Sequence, residues 1–143
     1  MNYLLDTNVV SEWAKPRPNA GVVRWLADQD EDRLFLSVIT LAELRHGVEQ
    51  MRRCVRRERL NVWIEDELRE RFEGRILSIH EGVADAWGRL MAMSESRGKR
   101  MNVTDGFLAA IATVWGLSLV TRDIADFKAA GCAFFNPWNE QDR

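Results

Sequence analysis

Asp6, Glu43, Asp105 and Asp123 are the residues of this chain whose type and placement suit chemistry. Carboxylates brought together repel one another, and the cost persists unless protons or cations offset it. A divalent ion does so directly. Competing donors are scarce, with two histidines, His46 and His80, and two cysteines, Cys54 and Cys132, that stand alone without a CxxC spacing. A zinc ligand set or a disulfide framework is therefore not expected. An oxygen-only set suits a hard cation, Mg²⁺ or Mn²⁺. Water on such an ion has a lowered pKa and attacks a phosphodiester to leave a 5′-phosphate and a 3′-hydroxyl. The ion also steadies charge that develops on the phosphate oxygens. Serine, cysteine and imidazole catalysis fit this residue set less well.

Whether the four acids meet depends on the elements that carry them. Tyr3-Leu4-Leu5 reads as a first strand that delivers Asp6 at its end. Pro16 and Pro18 mark a loop, and Val22, Val23, Trp25 and Leu26 give a short amphipathic helix. Leu34 to Val38 reads as strand two, followed by a helix from Thr40 that carries Glu43 in its first turn. Arg52 to Phe72 is helical and heavily charged, with Val55, Leu60, Trp63, Ile64 and Leu68 as its apolar stripe. Arg75 to Ile79 is a third strand, and a helix through Val83, Trp87, Leu90 and Met91 ends near Gly98. Asp105 to Trp115 forms an apolar helix closed by Gly116. Leu117 to Thr121 is strand four, and Cys132 to Phe135 a fifth.

Strands alternating with helices imply an α/β fold with a parallel sheet covered on both faces. In such sheets ligands sit at the carboxyl ends of the strands. Asp6 and Asp123 follow strands one and four at that edge, and the helix bearing Glu43 must start there. The helix from Asp105 ends at the opposite edge, so its start, about 15–18 Å back at 1.5 Å per residue, returns to the carboxyl edge. Four acids then converge. Each also has a local explanation. Asp6 ends a strand, Thr40-Leu41-Ala42-Glu43 fits a capping box that favours capping for Glu43, Asp105 suits a helix dipole, and Asp123 and Asp126 fit a loop.

The bulk properties bound the rest. The 143 residues suit one compact domain over residues 1–143. No apolar run approaches the roughly 20 residues of a membrane helix, and the start lacks a basic region before its short apolar stretch, so a cytoplasmic protein is expected. The net charge of −2 argues little for a polyanion partner, but its distribution is uneven. Between Arg45 and Arg59 six arginines (Arg45, Arg52, Arg53, Arg56, Arg57, Arg59) face only Glu49 and Glu58. That segment is a solvated face, a phosphate-contacting surface, or a docking face for an acidic partner.

Four motifs in order carry a family resemblance: Leu5-Asp6-Thr7-Asn8-Val9 with Ser11-Glu12; Ser37-Val38-Ile39-Thr40-Leu41-Ala42-Glu43-Leu44 with Gly47; Asn102-Val103-Thr104-Asp105-Gly106-Phe107-Leu108-Ala109-Ala110-Ile111-Ala112; and Leu119-Val120-Thr121-Arg122-Asp123 with Asp126-Phe127 and Asn136-Pro137-Trp138. Over nearly its whole length the chain resembles the PIN-domain nucleases, specifically VapC-type toxins of toxin–antitoxin pairs and their FitB-like branch. The resemblance implies a three-layer α/β/α sandwich around a parallel sheet of about five strands. It implies a Mg²⁺- or Mn²⁺-dependent endoribonuclease acting on RNA, a homodimer, and a cognate VapB-type antitoxin that inserts a peptide near the active site and alone brings the complex to DNA. It places catalytic acids at Asp6, Glu43, Asp105 and Asp123, with Asp6 and Asp105 as metal ligands and the other two acting directly or through water. Asn8 and Thr121 would orient them.

Some positions depart from the pattern. Asp123 stands where relatives often carry Asn, and His80 where many carry an acid; His80 reads better as a helix-start residue. Trp87 and Trp115 read as core by helical spacing, and Trp13 and Trp63 as a dimer or antitoxin face. A non-catalytic scaffold acting in an antitoxin-mediated DNA-binding complex is the main alternative, but it predicts loss of an acid and none is lost. An aspartyl-phosphate phosphatase needs a second Asp where Asn8 stands, and a receiver domain finds no phosphoacceptor in Ser78-Ile79-His80.

Overall fold

The computed structural model describes residues 1–140, so the last three residues of the expected domain lie outside them. Five parallel strands, β1 (Tyr3–Leu5), β2 (Leu34–Ser37), β3 (Ile76–Leu77), β4 (Ser118–Val120) and β5 (Phe134–Phe135), form one sheet in the order β3-β2-β1-β4-β5. Leu4 lies opposite Phe35 and Leu119, and Leu5 opposite Val120. The helices are α1 (Thr7–Val10), α2 (Ala20–Asp28), α3 (Val38–Glu49), α4 (Val55–Val62), α5 (Arg69–Arg71), α6 (Glu81–Ser96), α7 (Val103–Trp115) and α8 (Ile124–Phe127). A π-helical stretch, Trp63–Leu68, joins α4 to α5.

The strands are apolar runs without polar alternation because both sheet faces are covered. Side chains leave a strand alternately up and down. Leu4 and Leu119 pack with Val83, Leu90, Leu108 and Ile111 of α6 and α7, whereas Leu5, Leu34, Leu36 and Val120 pack with Val9, Val22, Leu26 and Leu68 on the other face. This is the three-layer α/β/α sandwich expected. Fully burying one such leucine contributes roughly 2 kcal/mol, so two layers are fixed by short strands with little help from sheet length. Among the described residues no helix is long and apolar enough to cross a membrane.

Three local expectations are corrected. The helix after β2 starts at Val38, not Thr40, because the Ser37 hydroxyl accepts the Thr40 N–H at 3.3 Å and serves as its cap. Val55 is 67% exposed, since it opens α4 beyond reach of the sheet; Ile64 and Leu68 are buried as the stripe requires. Trp115 is 50% exposed although its spacing marks it as core. It is the last residue of α7, where Gly116 turns the chain at φ 66°, and its ring meets the edge of His80, centroids 5.9 Å apart. Trp87 is half-buried, stacked on Phe107 at 4.9 Å, and its indole N–H donates to the Val103 carbonyl at 3.1 Å.

Candidate active site

β1 and β4 are neighbours, yet the chain goes from β1 toward β2 and β3 on one side, while β4 leads to β5 on the other. The crevice outside their carboxyl ends is the topological switch point where open α/β sheets bind ligands. Asp6 follows β1 directly, and its N–H donates to the Val120 carbonyl at 2.9 Å. One carboxylate oxygen, Oδ1, accepts the Thr7 N–H at 2.7 Å and caps α1. The other, Oδ2, accepts the Thr121 hydroxyl at 2.8 Å. Thr121 follows β4, is fully buried, and accepts the Asp123 N–H at 3.0 Å. Asn8 holds the same loop from the opposite side: its amide donates to Asp123 Oδ2 at 3.1 Å and its carbonyl faces the Arg122 N–H at 3.4 Å. Asn8 and Thr121 thus tie the end of β1 to the end of β4.

Glu43 lies in the second turn of α3, not the first, because that helix begins two residues early. The capping box is therefore absent, and Thr40 supplies the N–H that Ser37 caps. Glu43 Oε1 instead accepts the Thr7 hydroxyl at 2.7 Å, and the Thr7 oxygen lies 3.1 Å from the Thr40 hydroxyl. Thr7 has one hydroxyl proton. It goes to the shorter contact with Glu43, so Thr40 donates to Thr7. Asp105 occupies the first turn of α7, but the cap there is Asn102, whose side-chain oxygen accepts the N–H groups of Thr104 at 2.9 Å and Asp105 at 3.4 Å. Its carboxylate has no capping task.

The electrostatics join these acids into one cluster. Asp6 is 7% exposed, and burial pushes its carboxyl from the usual 3.8 up to about 6. The Thr121 and Thr7 hydrogen bonds pull it back in part, while the charges of Glu43 and Asp105 push it further up. The Asp105 carboxyl is also raised, first by burial and then by Asp126, Glu43 and Asp123. All four acids singled out in the sequence are brought together, with Asp126 as a fifth. Among the described residues no three Asp, Glu, His or Cys side chains are already gathered as a ligand set. The donors are oxygen throughout, and Asp6 and Asp105, whose charged forms are disfavoured, are the groups that a cation would relieve most.

Sequence reasoning missed Thr7 and Thr40 and gave Asp126 no role. The placement of Thr7 between Asp6 and Asn8 was the available signal. His80 caps α6, its ring nitrogen accepting the Val83 N–H at 3.4 Å, as a helix-start residue does. In the arginine-rich segment, Arg45 pairs with Glu49 and Glu65, and Arg57 with Glu49 at 3.1 Å. Arg56 instead lines a cavity of ≈ 260 Å³ that reaches Glu43 and Thr7 over Leu44, Val48 and Trp63.

Known proteins share this sequence and fold. Toxin FitB of Neisseria gonorrhoeae is 39% identical over 137 residues, covering 96% of this chain and 99% of that protein. VapC ribonuclease Y4jK of Sinorhizobium fredii is 38% identical over 135 residues, covering 94% and 96%. A solved structure of FitAB bound to an IR36 DNA fragment superposes with a TM-score of 0.91 at 38% identity over 95% of each chain. The PIN domain model matches residues 3–131, which include every acid of the cluster, and the chain belongs to the PIN-domain family.

Proposed function

We propose that this chain, as one domain over residues 1–143, is a Mg²⁺- or Mn²⁺-dependent endoribonuclease and the toxin of a toxin–antitoxin pair. The observation that carries the reading is the set of mutually coupled carboxylates, Asp6, Glu43, Asp105 and Asp123, at the sheet's switch point. The names of two relatives, a toxin and a ribonuclease, support it. When bound, the cation would supply positive charge for the phosphate oxygens and a water of lowered pKa. Asp6 and Asp105 would hold it. Thr7 and Thr121 fix the two oxygens of Asp6, each leaving lone pairs free. Glu43 keeps Oε1 on the Thr7 hydroxyl and Oε2 open to accept the proton of the attacking water. Asn8 holds Asp123 where it can orient that water.

The chain would work as a homodimer restrained by a cognate VapB-type antitoxin, and DNA would be reached only through that partner; the FitAB complex on DNA supports this arrangement. A purely regulatory, non-catalytic scaffold would have no need of coupled acids at a switch point. The test compares the wild-type chain with Asp6→Asn and Asp105→Asn on total cellular RNA, with Mg²⁺, Mn²⁺ and a chelator. Cleavage by the wild type alone, and only with a cation, is expected. Cleavage that survives either substitution or the chelator would overturn the reading.

A further inference from the structure

Next to Asp105 lies a polar cleft of ≈ 450 Å³, walled by Lys99, Arg100, Met101 and Asn102 on one side and by Asp126 on the other. Lys99 and Arg100 are exposed, and among the described residues neither forms an ion pair, unlike Lys15, Arg45, Arg57, Arg71 and Arg89. Their backbone is nonetheless held. Fully buried Ser94 clasps the Lys99 peptide at both ends: its carbonyl accepts the Lys99 N–H at 3.0 Å, and its hydroxyl donates to the Lys99 carbonyl. Gly98 turns the chain at φ 73°. Met101 is buried, and Asn102 caps α7. Two unneutralised cations are thus carried on a pinned turn beside the cluster of acids.

Resting on the nuclease reading, we propose that Lys99 and Arg100 grip a backbone phosphate of the RNA strand adjacent to the bond that is cut. A polyanion approaching five carboxylates is repelled, and cations bordering the same cleft offset that repulsion where the strand must pass. Arginine matches a phosphate with a two-pronged fork, and lysine adds a compact charge. A strand with one phosphodiester at the acids lays its neighbouring phosphate in the adjoining cleft. An acidic peptide would meet the same cations, but the cleft opens on Asp105, where the strand has to be. A turn fixed in advance lowers the entropy lost on binding.

The test measures binding of a fluorescent single-stranded oligoribonucleotide to the full chain in EDTA, as KCl is varied, and KM and kcat with Mg²⁺. Lys99→Ala/Arg100→Ala should weaken binding by about tenfold at low salt, and should reduce the log–log salt slope by about 0.7, the share of the one phosphate released. KM should rise with kcat nearly kept. Lys99→Arg/Arg100→Lys should keep the slope, and so should Arg33→Ala/Arg69→Ala, which removes two charges that form no ion pair among the described residues, one just before β2 and one in α5 ahead of β3. An unchanged slope and KM in the double alanine variant, while the wild type cuts RNA, would overturn this grip alone. An equal loss in the Arg33/Arg69 control would overturn it as non-specific attraction. So would loss of binding to a poly-glutamate peptide in the double alanine variant with RNA binding intact. A wild-type chain that binds RNA but never cuts it would overturn the nuclease reading instead, and the slope would still decide the grip.

Discussion

Replacing Asp6 by asparagine should stabilise the cation-free protein at neutral pH and abolish its activity. The folded state raises the Asp6 carboxyl from 3.8 to about 6, chiefly through burial. A raised carboxyl pKa means that the folded protein binds the proton more tightly than the unfolded chain, so stability from this group is fully present below about pH 4 and is lost as pH rises through about 6. The gap amounts to about 3 kcal/mol above that window, at ~1.4 kcal/mol per pKa unit, of which about 1 kcal/mol is already lost near pH 4.5. Asparagine carries no charge and avoids this cost. Its side-chain oxygen can accept the Thr7 N–H, and its NH₂ can donate to the Thr121 oxygen, which has a lone pair to spare beside the Asp123 N–H. The hydrogen bonds of the charged form are already included in the raised carboxyl value, but the second amide N–H of asparagine, left unpaired in this buried site, costs about 1 kcal/mol. The net expectation is a gain of about 2 kcal/mol near pH 7.5, falling to about zero near pH 4.5. Urea unfolding in EDTA at both pH values measures it, and a thermal midpoint about 7 °C higher near pH 7.5 should accompany it. A variant less stable than wild type near pH 7.5, or a stability difference indifferent to pH, would refute the electrostatic account of the site.

A divalent cation should offset the same cost in the wild type. Mg²⁺ or Mn²⁺ at a hundredfold excess over its dissociation constant should add about 2.7 kcal/mol, and thermal unfolding should show no such gain in Asp6→Asn/Asp105→Asn. Thr121→Val removes the hydroxyl that holds Asp6 and the acceptor of the Asp123 N–H; urea unfolding should register a loss of about 1–3 kcal/mol. It should also move the acidic limb of the pH–activity profile upward, because that hydrogen bond lowers the Asp6 pKa, and Thr121→Ser should restore the limb. Gly106→Ala would place a Cβ 2.7 Å from the Met91 sulfur and 2.9 Å from the Trp87 indole nitrogen. The sulfur can shift, but the indole is stacked and hydrogen-bonded, so a loss of about 1–3 kcal/mol is expected in the same unfolding assay.

The sheet and the edge that carries the acids were legible because parallel strands buried on two faces leave apolar runs, and Asp6 and Asp123 follow two of them. Glu43 was not legible locally. Whether it caps a helix or faces a crevice depends on where α3 starts, and Ser37 sets that start two residues before the pattern suggested. Its partner Thr7 is 36 positions away, and the Asn8–Asp123 contact spans 115, distances that no local period reports. Asp126 looked like an ordinary loop acid because its effect on Asp105 comes through the turn of α8, which only the folded chain brings near α7. Trp115 and Val55 mislead for a shared reason. Each sits at the end of a helix, where periodicity continues on paper after the packing partner has run out.

The most direct test of the central claim is the chemistry of the cut ends. An oligoribonucleotide treated with the wild-type chain and Mg²⁺ should yield products with 5′-phosphate and 3′-hydroxyl termini, as hydrolysis by a cation-activated water requires, and none with a chelator present. Products ending in a 2′,3′-cyclic phosphate, or cuts that persist in the chelator, would contradict a carboxylate and cation mechanism at Asp6, Glu43, Asp105 and Asp123.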